Sequence, residues 1–143
     1  MEACRLAVRI PVVGVMRAAL HFAACLCDRF AITVPLDSYV PYVARTIESY
    51  RMAHCVTAIR AITLFEVGDL KNHHDAILER TVAEARQLVA DGAQALLPLA
   101  ARLIPYAVSP QEVEREIGVP VINTQAVGIR FAELMVTDYG NIA

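Results

Sequence analysis

The sequence contains no basic stripe, no glycine-rich phosphate or dinucleotide fingerprint, no long uninterrupted apolar run and no low-complexity segment. Each absence removes a class of function. With a net charge of −2 and no clustered lysine or arginine, nucleic acid is not an expected partner. The stretch Gly68 to Asp75 (GDLKNHHD) is not a phosphate loop, and no G-x-G-x-x-G opens a helix after a strand. The two most apolar regions, Ile10–Leu26 and Leu88–Val108, are broken by Arg17 and His21 and by Asp91 and Arg102. Neither is a charge-free run of bilayer-spanning length, so no membrane association is expected. The start, MEACRLAVR, lacks the clean apolar core and small-residue cleavage site of a signal peptide. The expected location is therefore cytoplasmic, and the four cysteines are expected to be reduced thiols.

What is present is a globular composition. Hydrophobic residues make up 57% and charged residues 20%, which excludes a disordered chain, and 143 residues suffice for one domain with a core. The mean hydropathy of +0.46 fits strands buried on both faces between helices. Cys4 to Arg9 reads as the last turns of a helix. Ile10–Gly14 (IPVVG) reads as a buried strand ending in a turn glycine, followed by a helix with Val15, Ala19, Phe22 and Leu26 as its stripe. Phe30–Val34 is the second strand. Ser38 is placed to cap the next helix, with Pro41 in its first turn and Val40, Val43, Ile47 and Tyr50 inward. Val56–Ile62 is the third strand.

A polar loop from Glu66 leads into a helix with Leu78, Val82, Ala85 and Val89 inward and Glu79, Arg80, Glu84 and Arg86 outward, stopped by Gly92. Ala95–Leu99 is the fourth strand. Ser109, Pro110 and Glu112 spell a capping box for a short helix ending at Gly118. Val119–Asn123 (VPVIN) is the fifth strand, and Thr124–Asp138 the last helix, with Val127, Phe131 and Leu134 on one side. Alternating strands and helices predict right-handed βαβ units: an α/β fold with a three-layer parallel sheet flanked by helices. IPVVGVMRAALHFA and VPVINTQAVGIRFA echo one another, either by convergence of two βα units or by ancestral repetition.

Several stretches together resemble the aspartate/glutamate/hydantoin racemase family. They are RIPVVGV with its helix, DRFAIT and the helix ending IESYRM, VTAIRAI, VADGAQALLPLA, and EIGVPVINTQAVGIRFAELM, in the family's order and over nearly the whole chain. The resemblance implies one lobe of a two-lobed α/β fold with a site in the cleft between lobes. Residues 1–9 would be the remnant of a first-lobe helix, 10–118 the second lobe, and 119–143 the final strand and C-terminal helix, all within one domain. It also implies cofactor-independent racemisation at the α-carbon of an amino acid, hydantoin or related ureide. One cysteine thiolate removes the α-proton and an opposed thiol returns one, because two acid–base groups on opposite faces permit inversion. The second-lobe cysteine position falls on Ala100. Cys4 does not match the first-lobe position. Val15-Met16-Arg17 stands where the family has a small residue and then a glutamate.

The substrate-binding expectation rests on Gly14, Thr33, Ala100, Ala101, Asn123 and Thr124, all at or just past strand ends, the edge where α/β sheets bind ligands. Helix N-terminal amides beside them suit a carboxylate or ureide, although capping alone also explains Asn123 and Thr124. No cofactor and no metal is expected. Cys25 and Cys27 point to different helix faces, Cys55 starts a strand, and Glu66, Asp69, His73, His74 and Asp75 read as a solvated loop with acidic charge at a helix start. Arg17 is either an anion partner or a surface residue. The alternatives to an enzyme are a non-catalytic small-ligand-binding or assembly module and a truncated fragment of a longer racemase-like protein. Exposed apolar surface on a lone lobe predicts a homo-oligomer.

Overall fold

In a computed structural model, residues 2–62 and 70–142 are described. The order is α1 (Glu2–Ala7), α2 (Val15–Leu26), β1 (Phe30–Val34), α3 (Val40–Ser49), β2 (Val56–Ala61), α4 (His74–Ala90), β3 (Leu96–Pro98), α5 (Pro110–Ile117) and α6 (Thr124–Ile142). The strands form one parallel sheet in the order β2-β1-β3. FAITV is β-branched or apolar throughout and takes the central position, where both faces are covered and every residue is buried. Alternation sends Phe30, Ile32 and Val34 into a core shared with α2 and α3, and Ala31 into a core shared with α4 and α5. The three-layer arrangement is thus as expected. Phe30 and Ile32 are 0% exposed, and burying each contributes about 1.5–3 kcal/mol.

Two of the five expected strands differ. Ile10–Gly14 forms no strand. Ile10 is 71% exposed, and the hydrogen-bonded sheet consists of β1, β2 and β3 alone among the described residues. A strand needs a neighbour, and the apolar composition of IPVVG does not supply one. Gly14 is the N-cap of α2 at φ −87°, ordinary backbone with no need for glycine. The Val119–Asn123 segment is reduced to one parallel bridge, Leu96 with Val121. It is nevertheless held on both sides of Leu96, whose N–H donates to Pro120 O at 2.8 Å and whose carbonyl accepts from Ile122 N at 2.9 Å.

The helices refine the expected stripes. On α2 the buried side chains are Ala18, Ala19, Leu20 and Ala23, while Val15, Phe22 and Leu26 are exposed. The small alanine face is what packs against the sheet. Ser38 does not cap α3. It lies in a 3-10 turn, Asp37–Tyr39, and Tyr39 is the N-cap without a side-chain bond. Val43 and Ile47 are buried as expected. On α4 the buried set is Ile77, Thr81, Val82, Ala85 and Leu88. Glu84 is half-buried rather than outward, bonded to Arg60 at 3.3 Å and Arg80 at 3.0 Å. On α6, Leu134 is 55% exposed and the helix runs to Ile142. The stops hold: Gly92 (φ 99°) and Gly118 (φ 75°) adopt the left-handed conformation that makes glycine the natural helix terminator. The capping box at α5 is complete, with Glu112 N donating to Ser109 Oγ at 3.3 Å and Ser109 N donating to Glu112 Oε2 at 2.9 Å.

Candidate functional site

The carboxyl ends of β1 and β3 lie side by side. Thr33 is in register with Pro98, and Leu99 N donates to Thr33 O at 2.8 Å. Pro98 gives way to Leu99 and Ala100, and the Ala100 carbonyl accepts from both Leu103 N (2.7 Å) and Ile104 N (2.9 Å). The strand therefore turns at Ala100 into a tight coil that runs to Ser109. The start of α6 is fastened to the same edge. Thr124 Oγ1 donates to Pro98 O at 3.2 Å, and Asn123 Oδ1 caps the helix by accepting from Ala126 N at 3.0 Å. The first turn of α2 meets α6 where Val15 packs over Gly128. Gly14 is thereby placed at the start of a helix that contacts α6.

Of the residues singled out from sequence, Thr33, Ala100, Ala101, Asn123 and Thr124 are thus brought to one edge, with Gly14 placed through the α2–α6 contact. Their chemistry is limited. Thr33 is 0% exposed, and its hydroxyl has no hydrogen-bond partner among the described residues. It shares its face of β1 with Ala31, toward α4 and α5. Thr124 is buried and its hydroxyl is committed to Pro98. Ala100 is 6% exposed and Ala101 half-buried, and neither side chain can carry a proton. Asn123, half-buried, is the one polar side chain of the set that is not fully buried. What the edge offers is a helix start. The aligned peptides of α6 place partial positive charge there, suited to a carboxylate or an imide oxygen.

Among the described residues, none of the other constellations joins this edge. Cys27 caps the end of α2, where burial pushes its thiol above the ordinary range. Cys55 lies just before β2, at the amino end of the sheet. Cys4 and Cys25 are exposed. The Arg17 guanidinium stacks on the Tyr50 ring at 5.1 Å, which favours its reading as a surface residue. Glu66 and Asp69 lie outside the described residues. Among the described residues no group of three or more His, Cys, Asp or Glu could hold a metal ion, and no helix is long and apolar enough to cross a membrane.

The sequence reading missed one polar cluster. His74, at the first position of α4, is sandwiched by two carboxylates, with Nδ1 2.9 Å from Asp75 Oδ1 and Nε2 3.0 Å from Glu112 Oε1. The hydrogen bond to Asp75, with that to Glu112, raises the imidazole pKa above its ordinary value. Bonds from Ser109 N and Oγ, then from His74, lower that of Glu112. The His74–Asp75 half was visible as adjacent residues. The capping box predicted where Glu112 sits on its own helix, but no local signal joins it to His74.

The profile of the family described as Asp/Glu/Hydantoin racemase matches residues 1–132. The chain is 32% identical over 127 residues to the hydantoin racemase of Pseudomonas sp. (strain NS671), covering 88% of this chain and 49% of that protein. It is also 32% identical over 130 residues to that of Paenarthrobacter aurescens, covering 88% and 52%. The chain thus spans about half the length of these relatives. Among solved structures, it is similar to allantoin racemase from Klebsiella pneumoniae (TM-score 0.77, 26% identity, 89% of this chain and 51% of that one). It shares the fold of allantoin racemase from Pseudomonas fluorescens (TM-score 0.82, 22% identity, 91% and 54%). With the family profile matching residues 1–132 and relatives 32% identical over most of the chain, the chain belongs to the Asp/Glu/hydantoin racemase family.

Proposed function

We propose that this chain forms the substrate-binding side of a racemase-type site that works without a cofactor at the acidic α-carbon of an amino acid, hydantoin or related ureide. Family membership and the convergence of Thr33, Ala100, Asn123 and Thr124 on one sheet edge support the reading. The start of α6 and the Asn123 amide receive the carboxylate or imide oxygen, where negative charge grows as the α-proton leaves. Gly14 and Ala101 complete the rim. In this proposal residues 10–118 are one lobe, 119–143 its final strand and helix, and 1–9 a helix belonging to a facing lobe. The exposed apolar side chains Leu6, Ile10, Ile129 and Val136 support a partner surface, met in a homo-oligomer or by that facing lobe.

The observation that carries the reading furthest is the methyl group at Ala100. Removing or returning a proton on this face of the substrate requires a group that can hold one, and Ala100 cannot. On this reading the chain binds ligand but does not exchange the α-proton by itself. The test is α-deuterium uptake from D₂O with enantiopure hydantoins, allantoin, aspartate and glutamate, followed by proton NMR and paired with thermal-shift binding. The expected result is binding without exchange for the parent chain. An Ala100→Cys variant should take up deuterium with configuration retained, because a single thiol serves one face. Racemisation by the parent chain overturns the assignment at Ala100, and absence of both binding and exchange across the panel overturns the racemase-type reading. A non-catalytic binding module is the second reading. The same methyl favours it, and it predicts binding with no exchange even after Ala100→Cys.

A further inference from the structure

We infer that His74 is a pH-responsive clasp that fastens the coil following β3 to the start of α4. Both imidazole nitrogens face carboxylate oxygens, Nδ1 at 2.9 Å from Asp75 and Nε2 at 3.0 Å from Glu112. A carboxylate only accepts, and a neutral imidazole carries a single N–H. Both contacts can be hydrogen bonds only when the ring is protonated. Deprotonation leaves one nitrogen lone pair against a carboxylate, and one of the two links is lost.

The Nε2–Glu112 contact gives the clasp its leverage. Glu112 Oε1 receives His74, while Oε2 receives Ser109 N at 2.9 Å and Ser109 Oγ at 2.8 Å. Ser109 is the last residue of the coil that begins at Ala100, and Val108 before it is fully buried. One carboxylate therefore ties the end of the β3 coil, the first turn of α5 and the first turn of α4. Asp75 on its own helix and Glu112 on α5 are the charged groups in contact with the ring among the described residues. The turn before α4 brings His73 as its titratable neighbour in sequence. His74 and Glu112 are part-exposed, with side chains at 36% and 30%, so protons reach the clasp from solvent.

This inference does not depend on the racemase-type reading, because its test uses no ligand. The experiment is an NMR titration of the imidazoles of the full chain, with amide hydrogen-exchange protection factors for residues 101–109 at each pH. The His74 midpoint should lie above the ordinary imidazole value. Protection of 101–109 should rise several-fold as pH falls through that midpoint. His74→Gln should abolish the step. Glu112→Gln keeps the capping-box residue type and should bring the His74 midpoint down. If the His74→Gln chain does not fold, the Glu112→Gln midpoint decides. A His74 midpoint at or below the ordinary imidazole value, a protection step that survives His74→Gln, or a midpoint unmoved by Glu112→Gln overturns the clasp.

Discussion

Gly128 lies directly under Val15. A Cβ built at position 128 would stand 3.0 Å from Val15 Cγ2. The contact sets how closely α2 and α6 approach, and so where Gly14 sits relative to the start of α6. Two effects compete on substitution. Alanine in a helix is favoured over glycine by about 1 kcal/mol, while crowding costs energy unless the neighbour yields. Val15 is 46% exposed and has room to turn. Gly128→Ala is therefore expected within about 0.5 kcal/mol of the parent by urea denaturation. Gly128→Leu should lose about 1–3 kcal/mol, and the double change Val15→Ala with Gly128→Ala should exceed the parent. Equal stability of the alanine and leucine variants would show that the helices do not meet here.

Thr33 carries a hydroxyl into the sheet with no partner for it among the described residues. An unpartnered buried hydroxyl costs about 1–3 kcal/mol, and valine has nearly the same shape. Thr33→Val should raise the unfolding free energy by about 1 kcal/mol. If Thr33 serves the ligand as proposed, the same variant should weaken the thermal shift by hydantoins. A stability gain with unchanged ligand response would assign the residue to the core alone.

The clasp makes stability depend on pH in a defined direction. The folded pKa of His74 is raised, so its contribution is fully present below the unfolded value of about 6.5 and is lost as pH rises through the folded value. The folded pKa of Glu112 is lowered, so its contribution is present above the unfolded value of about 4.3 and is lost as pH falls through the folded value. The difference in urea midpoint between parent and His74→Gln should therefore be largest near pH 5–6 and shrink as pH rises through the folded His74 value. A difference that is flat from pH 5 to 9 would contradict the sign.

The cysteines should separate by reactivity. Burial raises the Cys27 thiol pKa, whereas Cys4 and Cys25 are exposed. Thiolate is the reacting species, so alkylation at pH 8 followed by mass spectrometry should label Cys4 and Cys25 first and Cys27 well after them.

The sequence carried the helices and the central strand because those signals are local. The capping box at Ser109–Glu112 and the stops at Gly92 and Gly118 need nothing beyond their own few residues. FAITV is apolar at every position, and it lies at the centre of the sheet. IPVVG has equally strong strand composition, yet pairing is a property of two segments and its partner cannot be read from one. The same limit hid the His74–Glu112 contact. On α2, the largest apolar side chains suggested a face through Phe22, but the close approach to the sheet selects the alanines instead. The candidate edge was legible because it depends on chain order. Strands that run parallel bring their ends together, and Thr33, Ala100 and Asn123 follow from that rule. That Thr124 would spend its hydroxyl on Pro98 did not follow.

The position of β1 between β2 and β3 also orders events in time. Phe30 and Val56 are separated by one helix, whereas Thr33 and Pro98 have β2 and α4 between them. Closing the shorter loop costs less entropy. The β1–α3–β2 unit is therefore the natural nucleus, and β3, three residues long, docks afterwards with Val121 behind it. Truncating Ile32 should slow folding, whereas truncating Leu97 should mainly speed unfolding. The edge that gathers the candidate site is thus the last part of the sheet to close.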